Sequence, residues 1–284
     1  MNILTFDIEE WFHCDMTYAN RNWDEYEVRI YESTDRILNV LEQRGLKATF
    51  FCMGWMVRKH PELILKIKGK GHEIGCHSDM HELVTSFKVH EFRKDTEMAI
   101  KSIEDVIGSK VIIYRAPAFS ITENNLWVFE VLIENGIEID CSVFPAAHDF
   151  GGFPSFGSSL PALVKIKGTQ IKEFPMNTTK FLGYYVVFSG GGFFRLLPYK
   201  IIRQLMRKSS YVMTYFHPRD FDANQPRLRY LSANRYFKSY VGLKGSFLKF
   251  EKLINEFDFM CVSNASAKID WETTRVLDLS LPLN

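Results

Sequence analysis

The chain has 284 residues, about twice the usual length of a domain and close to the size of one α/β barrel. Hydrophobic residues make up 46% and charged residues 24%, which excludes a disordered, collagen-like or fibrous chain. With 35 Lys and Arg against 34 Asp and Glu, the formal net charge is +1, so no global basic field attracts nucleic acid.

The predicted elements alternate along the first half of the chain. Strands are predicted over residues 3–6, 47–53, 72–77, 111–114 and 137–140, and helices over 35–44, 61–68, 87–107 and 122–135. Loops and short strands, including 171–175, fill residues 145–192; then a helix at 198–208, a strand at 211–217, a helix at 245–256 and a strand at 259–262 follow. The alternation predicts parallel strands with crossover helices, in a doubly wound sheet or a barrel.

Cysteine use and the N-terminus indicate the compartment. The five cysteines are odd in number, widely spaced and without a CxxC, which argues against a disulfide framework and predicts reduced core thiols. Acidic residues begin at position 7, where a signal peptide would continue its apolar run, and no apolar stretch is long enough for a transmembrane helix. We expect a cytoplasmic protein, with peripheral contact at the inner membrane face as a further option.

An acidic cluster, Asp7-Ile8-Glu9-Glu10, ends the first predicted strand. Side chains two residues apart on a strand share a face, so Asp7 and Glu9 point together and Glu10 points away. Two adjacent carboxylates repel unless a cation lies between them. The cluster is typical of a metal site, or, taken alone, of a solvated acidic loop.

His77 and His81 follow the third predicted strand at an HxxxH spacing. On a helical turn this spacing places both imidazoles on one face, as in many zinc enzymes. With one carboxylate from the acidic cluster, the two histidines form a three-ligand catalytic metal site with an open position. The second carboxylate is then placed to act on water.

Arg115 and His217 end two later predicted strands. Parallel α/β folds place their active sites at the carboxyl ends of strands, which brings both residues toward the first two clusters. An Arg beside a catalytic carboxylate keeps it ionised and oriented. His217 is the histidine best placed to act as a general acid, and His13 is a weaker rival.

The run Gly190-Gly191-Gly192 lacks the Gly-Lys-Ser/Thr ending of a phosphate-binding loop. It indicates a close backbone approach at the rim of the site. Arg195, just after the run, has two interpretations: contact with an anionic part of the substrate, or an ion pair that stabilises the fold.

Taken in order, these pieces resemble the polysaccharide deacetylases, the group with the NodB homology domain also called carbohydrate esterase family four. The matching stretches are Thr5-Phe6-Asp7, His77-Ser78-Asp79-Met80-His81, Arg115 with Pro117 and Phe119, Asp140-Cys141-Ser142, and the strand that ends in His217. The stretches 189–198 and 215–218 are similar to a subgroup found in exopolysaccharide and capsule loci.

The resemblance implies an α/β fold, a distorted (β/α) barrel of the NodB type with a loop and strand insertion around 145–192. One domain would span residues 1–284, with the core motifs in 1–220 and a C-terminal helical extension, 221–284, packed on it.

The resemblance also implies roles for individual residues. Asp7 would be the base, His217 the acid and Arg115 the partner of Asp7, with a divalent metal, Zn²⁺ before other transition metals, on Glu9, His77 and His81. Glu10 is the alternative to Glu9, and Asp140 a partner of His217. Residues expected to bind substrate are Pro117, Ala118, Phe119, Asp140, Ser142 and Arg195.

The predicted function is a metal-dependent hydrolase that removes N-acetyl groups from an amino sugar in a bacterial surface or extracellular polysaccharide pathway. The expected partner is an N-acetylated sugar, polymeric or lipid-linked, and no nucleic acid. Phe119 is displaced by one residue from the usual aromatic position, and Phe144-Pro145 replaces the usual Trp after Asp-x-Ser. Two alternatives remain: a catalytically inactive carbohydrate-binding or assembly protein, and a hydrolase of another small amide.

Overall fold

The computed structural model describes residues 1–13, 22–181 and 183–280. Within these ranges the strands are β1 (Asn2–Ile3), β2 (Thr5–Ile8), β3 (Thr49–Cys52), β4 (Glu73–Cys76), β5 (Ile113–Tyr114), β6 (Ile139–Asp140), β7 (Ala162–Ile166), β8 (Thr169–Glu173), β9 (Thr179–Phe181), β10 (Tyr184–Val186), β11 (Val212–Met213) and β12 (Val276–Asp278). The helices are α1 (Ile30–Gln43), α2 (Gly54–Lys59), α3 (Pro61–Gly69), α4 (Val89–Ile107), α5 (Trp127–Glu134), α6 (Gly191–Leu196), α7 (Tyr199–Lys208), α8 (Ala233–Tyr240), α9 (Leu243–Glu256) and α10 (Val262–Ser266). None of the described helices is long and apolar enough to cross a membrane.

Eight strands form the main sheet, in the order β12-β7-β8-β6-β5-β4-β3-β2. From β2 to β8 the neighbours run parallel, as the alternation of strands and helices predicts, whereas β7 runs antiparallel to β8. Beyond β2 the chain around β11 continues the sheet. There the Asp7 N–H donates to the Phe216 carbonyl, and the Phe216 N–H donates to the Thr5 carbonyl.

The sheet closes through the stretch that follows β8. The Tyr211 hydroxyl donates to the Pro175 carbonyl, and the Asn177 Oδ1 accepts from the Met213 N–H at 2.9 Å. These contacts join the end of β8 to β11, and the predicted distorted (β/α) barrel is confirmed. Because β8 pairs with β6, the segment predicted as an insertion supplies one strand of the barrel itself.

The core lies between the parallel strands and the helices that cover them. Strands buried on both faces favour continuous apolar runs, and β2 and β3 place Phe6 and Phe50 in a stack with ring centroids 4.9 Å apart. Phe216 packs 5.4 Å from Phe250 of α9, so the C-terminal helices cover the barrel. Cys14 lies outside the described residues, and the other four cysteines are buried free thiols, as predicted.

Several boundaries differ from the predicted ones. Helix α1 begins at Ile30 instead of residue 35, and α2 and α8 were not predicted. The strand predicted at 259–262 is reduced to a bridge between Met260 and Ile3, after which α10 begins. The glycine run leads into α6. Position 190 is a glycine because a Cβ there would collide with the Tyr215 carbonyl.

Candidate active site

The carboxyl ends of β2, β4, β5 and β11 meet at one end of the barrel. They surround an open cavity of about 380 Å³. Its lining includes Asp7, Glu9, His81 and His217, together with Phe119 from the loop after β5. The strand-end residues singled out in the sequence therefore share one site.

Glu9, His77 and His81 form the tightest group of this site. Glu9 Oε1 lies 3.0 Å from His77 Nε2 and 2.8 Å from His81 Nε2, and all three side chains are buried. Burial raises the pKa of Glu9, but His81, His217 and the two hydrogen bonds outweigh it and hold that pKa well below its usual range.

The HxxxH segment is a loop, so the helical turn predicted for it is wrong. Ser78 and His81 have φ values of 60° and 53°, which bend the chain until both imidazoles face Glu9. Asp79 between them is held by Arg58 at 2.5 and 3.0 Å, which fixes the loop against α2.

The donor set of this group fits a divalent metal. His77 Nδ1 lies 2.7 Å from the Arg115 carbonyl, an acceptor, so the ring proton belongs on Nδ1. His77 Nε2 and Glu9 Oε1, which share a hydrogen bond here, would then both be available to a cation placed between them. Two imidazoles and one carboxylate are a common set for catalytic zinc and related metals.

The alternative ligand, Glu10, faces away from this group. Its Oε1 accepts the backbone N–H groups of Arg29 and Ile30 at 2.7 and 2.9 Å, at the start of α1. Burial raises the pKa of Glu10 despite these bonds. Strand alternation thus correctly separates Glu9 from Glu10.

His13, the weaker rival for the acid role, is buried beside the aromatic cluster of Trp23 and Trp55. Its Nδ1 accepts the Glu10 N–H at 3.1 Å, and burial lowers its pKa well below the usual range. A histidine that stays neutral in this place is not suited to donate a proton.

Asp7 lies beside the three-residue group and is held by Arg115. Arg115 Nη1 donates to Asp7 Oδ1 at 2.7 Å, and its guanidinium also covers the Phe51 ring at 4.1 Å. Arg115 is fully buried and Asp7 is 3% exposed, so this ion pair is shielded from bulk water. Charge-assisted pairs of this kind hold a carboxylate in one orientation.

His217 approaches Asp7 from the opposite side. Its Nε2 lies 3.8 Å from Asp7 Oδ2 and 3.8 Å from Glu9 Oε1. Nδ1 faces Asp220 Oδ2 at 3.0 Å, and Asp220 in turn pairs with Arg195 Nε at 3.1 Å. Burial lowers the pKa of His217, but Glu9, Asp220 and Asp7 outweigh it and raise it to about 9.

The contacts around His217 correct two sequence-based expectations, those for Asp140 and for Arg195. Asp220, which sequence reasoning missed, takes the place expected for Asp140, and its three-residue distance from His217 was the available signal. Arg195 is buried, donates to the Ser239 and Lys238 carbonyls, and holds Asp220. It therefore serves as the fold-stabilising ion pair and not as a substrate contact. Burial raises the pKa of Asp220, but Arg195 and His217 bring it to about 2.

Asp140 and Ser142 lie beneath the cavity, fully buried, so their expected contact with substrate is not found. The Ser142 hydroxyl donates to Asp140 Oδ1 at 2.5 Å and accepts the Ala116 N–H at 2.7 Å. Asp140 also hydrogen-bonds Glu173, a second buried acid that sequence reasoning missed. Burial raises the pKa of both carboxyl groups.

The loop after β5 forms one wall of the cavity. Ala118 and Phe119 have φ values of 49° and 51° and both line the cavity, whereas Pro117 is buried behind them. Phe119 packs 5.3 Å from Tyr215 and 6.3 Å from Phe144. The result is an aromatic wall beside the polar groups, which suits the apolar face of a sugar ring.

His148 also lines this wall, although its sequence context gave no signal. Its Nε2 lies 3.2 Å from the Phe119 carbonyl, and burial lowers its pKa.

Comparison with known proteins agrees with this geometry. Residues 4–132 match the family model described as polysaccharide deacetylase, and residues 141–267 match a domain of unknown function, DUF3473. A peptidoglycan-N-acetylglucosamine deacetylase of Bacillus cereus is 29% identical over 106 residues, which cover 37% of this chain and 39% of that protein. The chain thus spans about two fifths of this curated relative.

Solved structures show the fold. A crystal structure from Mycobacterium smegmatis, assigned to the polysaccharide deacetylases, has a TM-score of 0.68 at 19% identity and covers 99% of this chain and 93% of that chain. A CE4 family pseudoenzyme from Bacillus anthracis has a TM-score of 0.50 at 16% identity and covers 93% of this chain and 64% of that chain. The fold alone therefore does not decide whether a chain turns over substrate.

Proposed function

We propose that the chain, whose residues 4–132 match the polysaccharide deacetylase family model, hydrolyses the N-acetyl group of an amino sugar in a bacterial surface or extracellular polysaccharide pathway. The observation that carries the proposal is one cavity that joins Glu9 and His81 with Asp7 and His217. The ligand set, an oriented carboxylate and a protonated imidazole are the three parts that hydrolysis of an amide needs.

Glu9, His77 and His81 are the proposed ligands of a divalent cation, Zn²⁺ first. When bound, such an ion polarises an acetyl carbonyl and makes a water molecule more acidic. The Arg115 carbonyl fixes the His77 tautomer, and the Asp79 ion pair holds the loop that carries both histidines.

The proton transfers belong to Asp7 and His217. Asp7, held in place by Arg115, accepts the proton of the water whose oxygen bonds to the acetyl carbon. The carbonyl oxygen gains negative charge, and we place the Ala118 N–H among its donors because Ala118 lines the cavity. His217 donates its proton to the nitrogen as the C–N bond breaks, which releases the free amine and acetate.

Asp220 and Arg195 support His217 from behind. Asp220 accepts from Nδ1, so Nε2 carries its proton toward the cavity, and the Arg195 ion pair keeps Asp220 anionic. The pKa of His217 at about 9 makes the imidazolium the main form at neutral pH. A general acid must begin the reaction in that form.

The main alternative is a carbohydrate-binding protein that has lost turnover. Such a protein has no need to hold the Asp7 carboxyl group 3.8 Å from a protonated His217. A hydrolase of another small amide needs the same groups, so the substrate screen, and not the geometry, separates it from the sugar deacetylase.

The test is release of acetate from defined N-acetylated sugars, with and without a chelator. We expect acetate release that the chelator abolishes and that added Zn²⁺ restores. Sugar binding without acetate release, under conditions where the bound metal is measured, would establish the non-catalytic alternative. Acetate release only from simple amides would favour the other alternative, a hydrolase of a small amide.

A further inference from the structure

A second cavity, of about 420 Å³, lies next to the first. The two share Phe150, Tyr215, His217 and Arg219 in their linings, so they are continuous past the proposed acid His217. Apart from His217 and the Asp220–Arg195 pair behind it, the proposed hydrolysis uses no residue of the second cavity. Its position suits the sugar unit next to the one that carries the acetamido group.

Basic side chains dominate the lining of the second cavity. The charged members are Arg195, Arg219, Arg235 and Lys238 against Asp149 and Asp220. The Arg195–Asp220 pair is buried and committed to His217. The contact of Lys238 with Asp149, at 3.3 Å, joins side chains that are 59% and 76% exposed, and exposed pairs of this kind are weak.

The surrounding chain has the same bias. Residues 191–250 contain twelve Lys and Arg against two Asp and no Glu, whereas the whole chain carries a net charge of only +1. A segment with one dominant sign of charge raises the local concentration of ligands of the opposite sign. Four of the twelve basic residues line the second cavity: Arg195, Arg219, Arg235 and Lys238.

Aromatic contact surface lies beside these cations. The Arg235 guanidinium lies 5.7 Å from the centre of the Phe150 ring, and Tyr215 belongs to both cavities. A sugar ring can pack on such side chains while a charged substituent reaches the Arg and Lys groups. Arg also binds carboxylate and phosphate in a bidentate manner, which a neutral sugar does not require.

We propose that the second cavity binds a negatively charged group, a carboxylate or a phosphate, on the sugar next to the N-acetylated unit. This inference rests on the proposed function, and it narrows the substrate class from N-acetylated sugars in general to acidic ones.

The experiment compares three substrates that differ in charge. They are a neutral N-acetylglucosamine tetramer, a tetramer that alternates N-acetylglucosamine with glucuronic acid, and a tetramer that alternates N-acetylglucosamine with glucose 6-phosphate. The wild type is expected to bind at least one acidic substrate about tenfold more tightly than the neutral tetramer, the scale of one charge-assisted hydrogen bond. The preference is expected to shrink at high salt. The two acidic substrates separate a carboxylate from a phosphate.

The variant Arg235→Gln/Lys238→Gln removes two charges from the second cavity. We expect KM for the preferred acidic substrate to rise about tenfold with kcat unchanged, and the neutral substrate to be unaffected. The matched control, Arg229→Gln/Lys244→Gln, removes two exposed charges from the same basic segment outside the cavity lining. It is expected to behave as the wild type.

Calorimetry of substrate binding keeps this test separate from the proposed function. If no sugar releases acetate but the acidic ligand still binds more tightly to the wild type than to the cavity variant, deacetylation fails and the acidic subsite stands. Equal binding of neutral and acidic ligands would overturn the subsite. So would equal losses in the cavity variant and its control. Binding of the wild type and the cavity variant to anionic phospholipid vesicles is measured alongside. If the variant loses only vesicle binding and keeps its sugar binding, these charges belong to a membrane-binding surface and the subsite is overturned.

Discussion

Asp7 is held between two cationic groups. Arg115 Nη1 donates to its Oδ1 at 2.7 Å, and His217 Nε2 lies 3.8 Å from its Oδ2. Asp7→Asn keeps the shape of the side chain but removes the proton acceptor. We expect metal content to stay unchanged and kcat to fall by about 10²–10⁴, the usual contribution of a general base. Full acetate release by Asp7→Asn would rule out Asp7 as the base.

The metal ligands predict a different pattern of loss. His81→Ala removes one of the three donor residues in the group Glu9, His77 and His81. We therefore expect bound metal and activity to disappear together. His148→Ala is the matched control, because His148 lines the same cavity but belongs to none of the donor groups among the described residues. Metal analysis of both proteins decides the point. Equal metal content in the two variants would contradict the assignment.

Asp220 gives a prediction about pH. Because His217 must be protonated to act as the acid, activity is expected to fall as the pH rises through its pKa of about 9. Asp220→Asn removes one charge that raises this pKa, so the alkaline limb of kcat/KM should move to lower pH. The control is Asp222→Asn, which removes a carboxylate that pairs with Arg29 and not with His217. In this control the alkaline limb of kcat/KM should stay in place. An unmoved limb in Asp220→Asn would mean that Asp220 does not set the His217 pKa.

At the scale of elements, β6 and β8 bring two buried acids together. Asp140 and Glu173 lie opposite each other in the parallel register, and both are fully buried. Burial raises the pKa of both groups, and the nearby Asp140 raises that of Glu173 further. The folded chain therefore keeps a proton at a pH where the unfolded chain has lost it. Stability from this source is complete below the unfolded pKa and is lost as the pH rises toward the folded one.

The variant Glu173→Gln tests this pair. The amide can donate to Asp140 while its oxygen keeps the bond from the Val143 N–H. In the wild type, one retained proton makes the free energy of unfolding fall by about 1.4 kcal/mol per pH unit as the pH rises. In Glu173→Gln we expect this fall to be smaller. Glu138→Gln, an exposed change just before β6, should leave the slope unaltered. Denaturant melts between pH 5 and 8 measure both, and an unchanged slope in Glu173→Gln would contradict the shared proton.

The elements also explain how far the sequence could be interpreted. Strand ends carry Asp7, Glu9, Arg115 and His217, as predicted. The alternation rule correctly pointed Asp7 and Glu9 in one direction and Glu10 in the other. The loop from His77 to His81 could not be predicted, because its shape depends on the tertiary contact of Asp79 with Arg58. The resemblance implied Asp140 as the partner of His217, and nothing local shows that β8 returns beside β6 and brings Glu173 opposite Asp140.

At the scale of the whole molecule, the two matched segments share one barrel and one site. Residues 4–132 supply Asp7, Glu9 and both metal-ligand histidines, and residues 141–267 supply His217 and its partner Asp220. The Asp7 N–H bond to the Phe216 carbonyl and the Phe6–Phe216 contact cross between these segments, so neither segment buries its core alone. Separation would expose large aromatic side chains to water.

The whole chain is therefore expected to unfold as one cooperative unit. Near-ultraviolet circular dichroism, calorimetry and release of bound metal should give the same midpoint, as two-state unfolding requires. A chain that ends after residue 140 should lack a cooperative transition, because it leaves Phe6 without its cover from Phe216 and Phe250. Two separate calorimetric transitions in the full chain, or a cooperatively folded fragment, would divide the barrel into independent domains.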